Sequence, residues 1–150
     1  MLLNRDIFEI FSRISKLHTE SFDAENQLIH NLSGKVEVEI VTGMEIIFNE
    51  YLRWENENNL LLNSKNVYRW TFLNTGNIKL DHLRFGKNNP VFLVELFKAA
   101  ENTWKSRGPH DCNSDLYFAE LVLQNENPVL SWEVKGPSEN YSLKTAYLNS

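Results

Sequence analysis

His82 and Arg84 stand two residues apart in Ile78-Lys79-Leu80-Asp81-His82-Leu83-Arg84. In an extended chain alternate side chains share a face, so Ile78, Leu80, His82 and Arg84 would point the same way. That face begins apolar and ends polar. A guanidinium turned into a protein interior needs an anionic partner. Arg84 is therefore a candidate anchor for a ligand carboxylate or phosphate, which its planar fork grips through two bonds. His82 would orient a second polar group. The competing readings are a structural pairing of Arg84 with Asp115 or Glu50, or the opposite parity facing inward.

The segment Pro109–Tyr117 supplies a second set: His110, Asp111, Cys112 and Asp115. A zinc site takes about four ligands, commonly in paired spacings such as C-x-x-C. One cysteine and one local histidine do not meet that pattern, and no metal is expected. Cys112 and His110 could act as nucleophile and base, but nothing marks an oxyanion hole or lowers the thiol pKa. His82 or His110, oriented by Asp115, would suit acid–base chemistry near neutral pH. Those three are the candidate catalytic residues. A capped loop, with Asp115 or Asn113 holding backbone amides, is the plainer alternative. Either histidine could also ligate a haem, but no cofactor-binding motif is present and none is expected.

The third set is aromatic. Tyr68, Trp70, Tyr117, Trp132, Tyr141 and Tyr147 fall on alternating segments, and Thr145 shares a face with Tyr141 and Tyr147. Large rings fill small barrel interiors, while buried tyrosine hydroxyls need partners. With Arg84 and His82 these residues form the candidate ligand-binding set, weighed against simple core packing.

The elements that must position them are mostly strands. Ile7, Ile10, Phe11, Ile14 and Leu17 recur at helical spacing and predict one N-terminal helix, with His18 to Leu28 as a connector. From Ile29 the period changes to two. Val36, Val38 and Ile40 alternate with Glu37 and Glu39. Ile46, Phe48, Leu52 and Trp54 share one parity. Leu60–Leu62 reads as a short apolar piece, with Asn63–Asn66 as a turn after it. Asn74-Thr75-Gly76-Asn77 is a hairpin signal. Strands follow at Ile78–Phe85, Val91–Phe97, Leu116–Leu123, Leu130–Val134 and Tyr141–Leu148. Eight to ten short strands in a continuous meander predict a mainly β protein, a lipocalin-like (calycin-type) antiparallel up-and-down barrel. Residues 1–28 would form helix and connector, residues 29–150 the barrel.

A chain of 150 residues fits one domain, since domains commonly run to roughly 100–150 residues. A net charge of −5 with no clustered basic footprint argues against nucleic acid and anionic membrane partners. No run approaches a membrane span, and the start lacks a signal peptide's apolar core. A single cysteine precludes an internal disulfide. The expectation is a cytoplasmic protein, its oligomeric state unread.

Tyr68-Arg69-Trp70, His82 to Gly86, His110, Cys112, Asp115, Tyr117, Trp132, Gly136, Pro137, Tyr141, Thr145 and Tyr147 together resemble the uncharacterised bacterial domain-of-unknown-function family 6314. The resemblance runs from about Gly34 to Leu148. It implies a lipocalin-like barrel and no settled activity. The residues themselves favour a binding barrel for a small hydrophobic or aromatic acidic ligand, with the helix as a lid over one mouth. The alternatives are a small isomerase, cyclase or lyase, and an interaction scaffold with a filled core.

Overall fold

A computed structural model of the chain describes residues 4–108, 110–112, 115–137 and 139–149, the side chains of 4–6 and 110–112 excepted. Helix α1 (Asn4–Ser12) leads into β1 (Ile14–Asp23), β2 (Leu28–Ile40), β3 (Glu45–Glu55) and β4 (Leu61–Phe72). Then come β5 (Ile78–His82), β6 (Val91–Ala100), β7 (Thr103–Ser106) and β8 (His110–Cys112). The last strands are β9 (Asp115–Gln124), β10 (Asn127–Lys135) and β11 (Asn140–Asn149). Strands β1 to β7 pair antiparallel in succession, β7 pairs with β9, β9 with β10 and β10 with β11, and β11 returns to β1. The result is a closed barrel of ten strands, consistent with the lipocalin-like type. Strands β7 and β8 share one edge of β9, at Lys105↔Glu120 and His110↔Tyr117 respectively.

The expected helix is too long. It ends at Ser12, and Ile14 and Leu17 belong to β1, as does most of the expected connector. The register shifts between Ile14 and Lys16 against β11. This bulge inserts one extra residue, so Ile14 and Leu17, three apart, are both buried in the interior. A bulged strand here reproduces the spacing of a helical face. Strand β4 also runs unbroken through Asn63–Asn66, where a turn was expected. Its polar residues lie on both faces because this part of the strand stands beside a hollow rather than a packed interior. The strand expected to reach Phe85 stops at His82, and the expected loop at Pro109–Tyr117 contributes β8 and the start of β9.

Apolar burial is concentrated at the end that α1 closes. Ile7 and Phe11 insert beside Phe48, Trp70 and Phe72. The Phe11 ring centroid lies 4.9 Å from Trp70, 5.2 Å from Phe72 and 5.6 Å from Phe48. Ile46, Ile78, Leu80, Leu96 and Leu121 complete this half.

The opposite end is less regular. Pairing between β2 and β3 stops at Gly34↔Leu52. Beyond it, β2 continues with β1 and β3 continues with β4, so the wall parts into two hairpin arms. Gly34 sits at the parting because a Cβ there would collide with the Tyr51 carbonyl oxygen.

Phe11→Ala is expected to cost about 3–5 kcal/mol, since it empties a fully enclosed site. Urea unfolding would measure it; a loss under about 1 kcal/mol would mean that the helix only rests on the barrel end.

Candidate functional site

The open half of the barrel is hollow. An inner lobe of about 340 Å³ is bounded by Leu17, Thr19, Glu50, Leu52, Tyr68, Leu130, Thr145 and Tyr147. It also reaches His30 and Leu32 on one arm and Trp54 and Asn66 on the other, so it communicates with the parting between β2 and β3. An outer lobe of about 270 Å³ is bounded by His82, Arg84, Val91, Leu93, Tyr117, Val134 and Tyr141. Tyr68, Trp132 and Leu143 line both lobes and form their shared wall.

Glu50 closes the floor of the inner lobe. It follows Ile46 and Phe48 on the inward parity of β3, and Leu52 and Trp54 follow it. Glu50 is 5% exposed. The Tyr147 hydroxyl donates to Glu50 Oε2 at 2.6 Å. Burial pushes the Glu50 carboxyl up to about 7, against the hydrogen bond from Tyr147, which lowers it. Tyr68 and Tyr147 are both raised above the ordinary tyrosine range, by burial first and then by the nearby Glu50 charge. Higher on the wall, Thr19 and Thr145 face one another across β1 and β11, their hydroxyls 2.9 Å apart. At the lip, Ser21 Oγ lies 3.2 Å from His30 Nδ1.

Eight of the nine residues expected to bind a ligand line one lobe or the other, namely Arg84, His82, Tyr68, Tyr117, Trp132, Tyr141, Thr145 and Tyr147. Trp70 does not. It is fully enclosed in the packed half, 4.9 Å from Phe11, because two residues along β4 move a side chain from hollow to plug. Arg84 falls in the turn after β5 and is exposed. Its guanidinium lies 5.0 Å from the Phe85 ring centroid. It therefore stands on the rim of the outer lobe, not within the barrel, and Glu50 bonds Tyr147, not Arg84. The sharing of an inward face extends from Ile78 and Leu80 to His82 and no further, since the strand ends there.

The acid–base set is only partly described. His82 Nδ1 accepts the Arg84 backbone N–H at 2.9 Å, and the ring packs edge-on against Tyr68 at 5.0 Å. Burial, then the Arg84 charge, lowers its pKa. Asp115 is buried and lies against Gly136, where any Cβ would strike its carboxylate. The side chains of His110 and Cys112 lie outside the described residues. Among the described residues no three metal-capable side chains cluster.

Sequence reasoning weighed Glu50 only as a structural partner for Arg84 and missed it as a lining residue. Its signal was present: a carboxylate on the inward parity of an otherwise apolar alternation. Thr19 was hidden inside the expected connector, and Leu32 and Trp54 become lining residues only because the wall parts between them.

The profile of a family described as "Family of unknown function (DUF6314)" matches residues 13–149. The chain belongs to that family. The DUF6314 match begins at Arg13 and so includes β1, which the resemblance from Gly34 had left outside; β1 is a stave of the ring, bonded on both edges. Within the matched range, Tyr68-Arg69-Trp70 divides its work by parity. Tyr68 faces the hollow, Trp70 the plug, and Arg69 the exterior, where its Nη2 bonds Asp81 at 2.9 Å. Among solved structures, a protein of unknown function from Bacteroides ovatus is 8% identical with a TM-score of 0.29, over 89% of this chain and 39% of that one. This chain thus spans well under half of that protein's length. No curated protein matches.

Glu50 makes stability pH-dependent. Its carboxyl titrates near its ordinary value of 4.5 when unfolded and at about 7 when folded. Between those values the unfolded chain ionises first, so its contribution to stability falls as pH rises and levels off above 7. At 1.36 kcal/mol per pKa unit the loss is at most roughly 3 kcal/mol. Urea unfolding at about pH 5 and pH 8 is expected to show this loss in the wild type and a smaller one in Glu50→Gln. Identical pH dependence in both proteins would remove Glu50 as its source.

Proposed function

We propose that this protein binds one small, mostly apolar or aromatic molecule in the open half of its barrel. The observation that carries this reading is the two-lobed hollow itself. Its lobes, about 340 and 270 Å³, sit near the lower end of the size range of small-molecule sites, roughly 300–1,000 Å³. The walls are chiefly aliphatic and aromatic with a few convergent polar groups, which is the composition such sites share. The parting between β2 and β3 serves as a side entrance. Leu28, Ile29, Leu60 and Leu61, exposed on the two arms, form its apolar lips.

An acid group on the ligand belongs to the outer lobe, beside Arg84 and His82. The deep end carries a carboxyl, which repels a carboxylate. Arg84 is exposed, so its contribution is modest, as for other solvated ion pairs. A filled scaffold fits less well, because only the helix end is filled. An acid–base enzyme remains the second reading, and the observation favouring it is Glu50, whose carboxyl held at about 7 suits proton transfer near neutral pH. Among the described residues no helix is long and apolar enough to cross a membrane, and the cytoplasm is the proposed location.

The test uses 8-anilinonaphthalene-1-sulfonate, an anionic aromatic probe, with tryptophan quenching as the readout. Saturable one-site binding is expected. Leu143→Trp, which fills the shared wall, is expected to abolish it. Arg84→Ala should weaken it by up to about fivefold. Binding unchanged by Leu143→Trp would place the probe on the surface and overturn the reading.

A further inference from the structure

The inner lobe has a polarity of its own. Among the described residues Glu50 is its one acidic lining residue, and no lysine or arginine lines it. Four aromatic side chains do: Trp54, Tyr68, Trp132 and Tyr147. Buried carboxylates are ordinarily paired with a cation. Glu50 has a hydroxyl instead, from Tyr147, and that bond occupies Oε2. Aromatic faces around a carboxylate are the surroundings that hold organic ammonium groups, through ring quadrupoles and charge pairing together.

We propose that the inner lobe receives the ammonium end of a small organic amine, with Glu50 as its counter-ion and the aromatic walls around its substituents. This rests on the binding role of the hollow and names the chemistry of its deep end. The ligand supplies the cation that the fold withholds. The rest of the molecule extends past Leu143 and Trp132 toward the outer lobe, where Arg84 excludes a second positive group and accepts a negative one. Ionisation of Glu50 and entry of the ammonium are coupled: each favours the other, and a protonated Glu50 gives up its proton to solvent when the cation enters.

The titratable groups that face this lobe are Glu50 on β3, Tyr68 on β4, Tyr147 on β11 and His30 on β2; the lining residues from β1 and β10 carry no charge. The tyrosines, raised by burial, stay neutral around pH 7. Glu50 at the floor and His30 at the lip are the other two titratable groups facing the lobe. The two must be separated by mutation.

The probe is benzyltrimethylammonium, whose charge is permanent, followed by isothermal titration at about pH 6 and pH 8 in buffers of different ionisation enthalpy. With Glu50 ionised in about a tenth of molecules at the lower pH and nine-tenths at the higher, affinity is expected to rise roughly tenfold, with net proton release at the lower pH. The rise is expected to persist in His30→Gln. In Glu50→Gln, affinity should fall on the order of tenfold or more at pH 8, and the rise should vanish. Should Glu50→Gln fail to fold, the proton release and pH dependence of His30→Gln decide the question. A rise lost in His30→Gln overturns the proposal. So does tighter binding of the neutral isostere neopentylbenzene than of the ammonium. That last result would leave the hollow as a binding site for neutral molecules, whereas failure of both probes and of the naphthalene sulfonate would remove the binding role altogether.

Discussion

A closed ring of ten strands encloses more space than its own inward side chains fill; about eight strands is the width at which side chains just suffice. Everything else in this structure answers to that excess. At one end the chain meets it with its own first residues: α1 lays Ile7 and Phe11 among Phe48, Trp70 and Phe72, and that half of the barrel becomes a packed core. At the other end no segment among the described residues is inserted, and the space stays open. On β3 the division between plug and hollow falls between Phe48 and Glu50, and on β4 between Trp70 and Tyr68.

The boundary itself is an aromatic and carboxyl layer. Tyr147 packs on Phe48 at 5.1 Å on its lower side and donates to Glu50 at the floor of the hollow. A carboxyl in this place costs stability once ionised, so a fold selected for stability alone would put an apolar residue there. Its place on the inward parity, with the tyrosine that satisfies it, is the feature on which the proposed site rests. Perturbed carboxyl groups beside a cavity are where recognition and proton transfer concentrate.

The openings follow from strand register. Strands β2 and β3 part at Gly34, and the residues beyond the parting keep their pairing with β1 and β4. A lateral entrance results without loss of the ring below it. The turn after β5 places Arg84 at the second opening, while the bond from its backbone N–H to His82 Nδ1 fixes the ring that divides rim from interior.

Much of the barrel was legible in the chain: alternation in β2, β3 and β10 and the Asn74–Asn77 hairpin are local signals, because strand period and turn chemistry are set within a few residues. The candidate ligand set was legible for the same reason, as inward parity is a local property, and Glu50 was readable there too. The extent of the helix was not, since a bulge at Ile14–Lys16 gives a strand the spacing of a helix, and only pairing with β11 distinguishes them. Nor was the height of any residue along the barrel axis. Trp70 and Tyr68 share a face and a chemistry, yet one is plug and the other wall. By itself the sequence determined which face turns inward in the strands it revealed, β3 and β10 among them. Tertiary structure alone decided which inward residues meet a packed core and which meet open space, because that depends on how far the helix reaches into the ring and where the staves part.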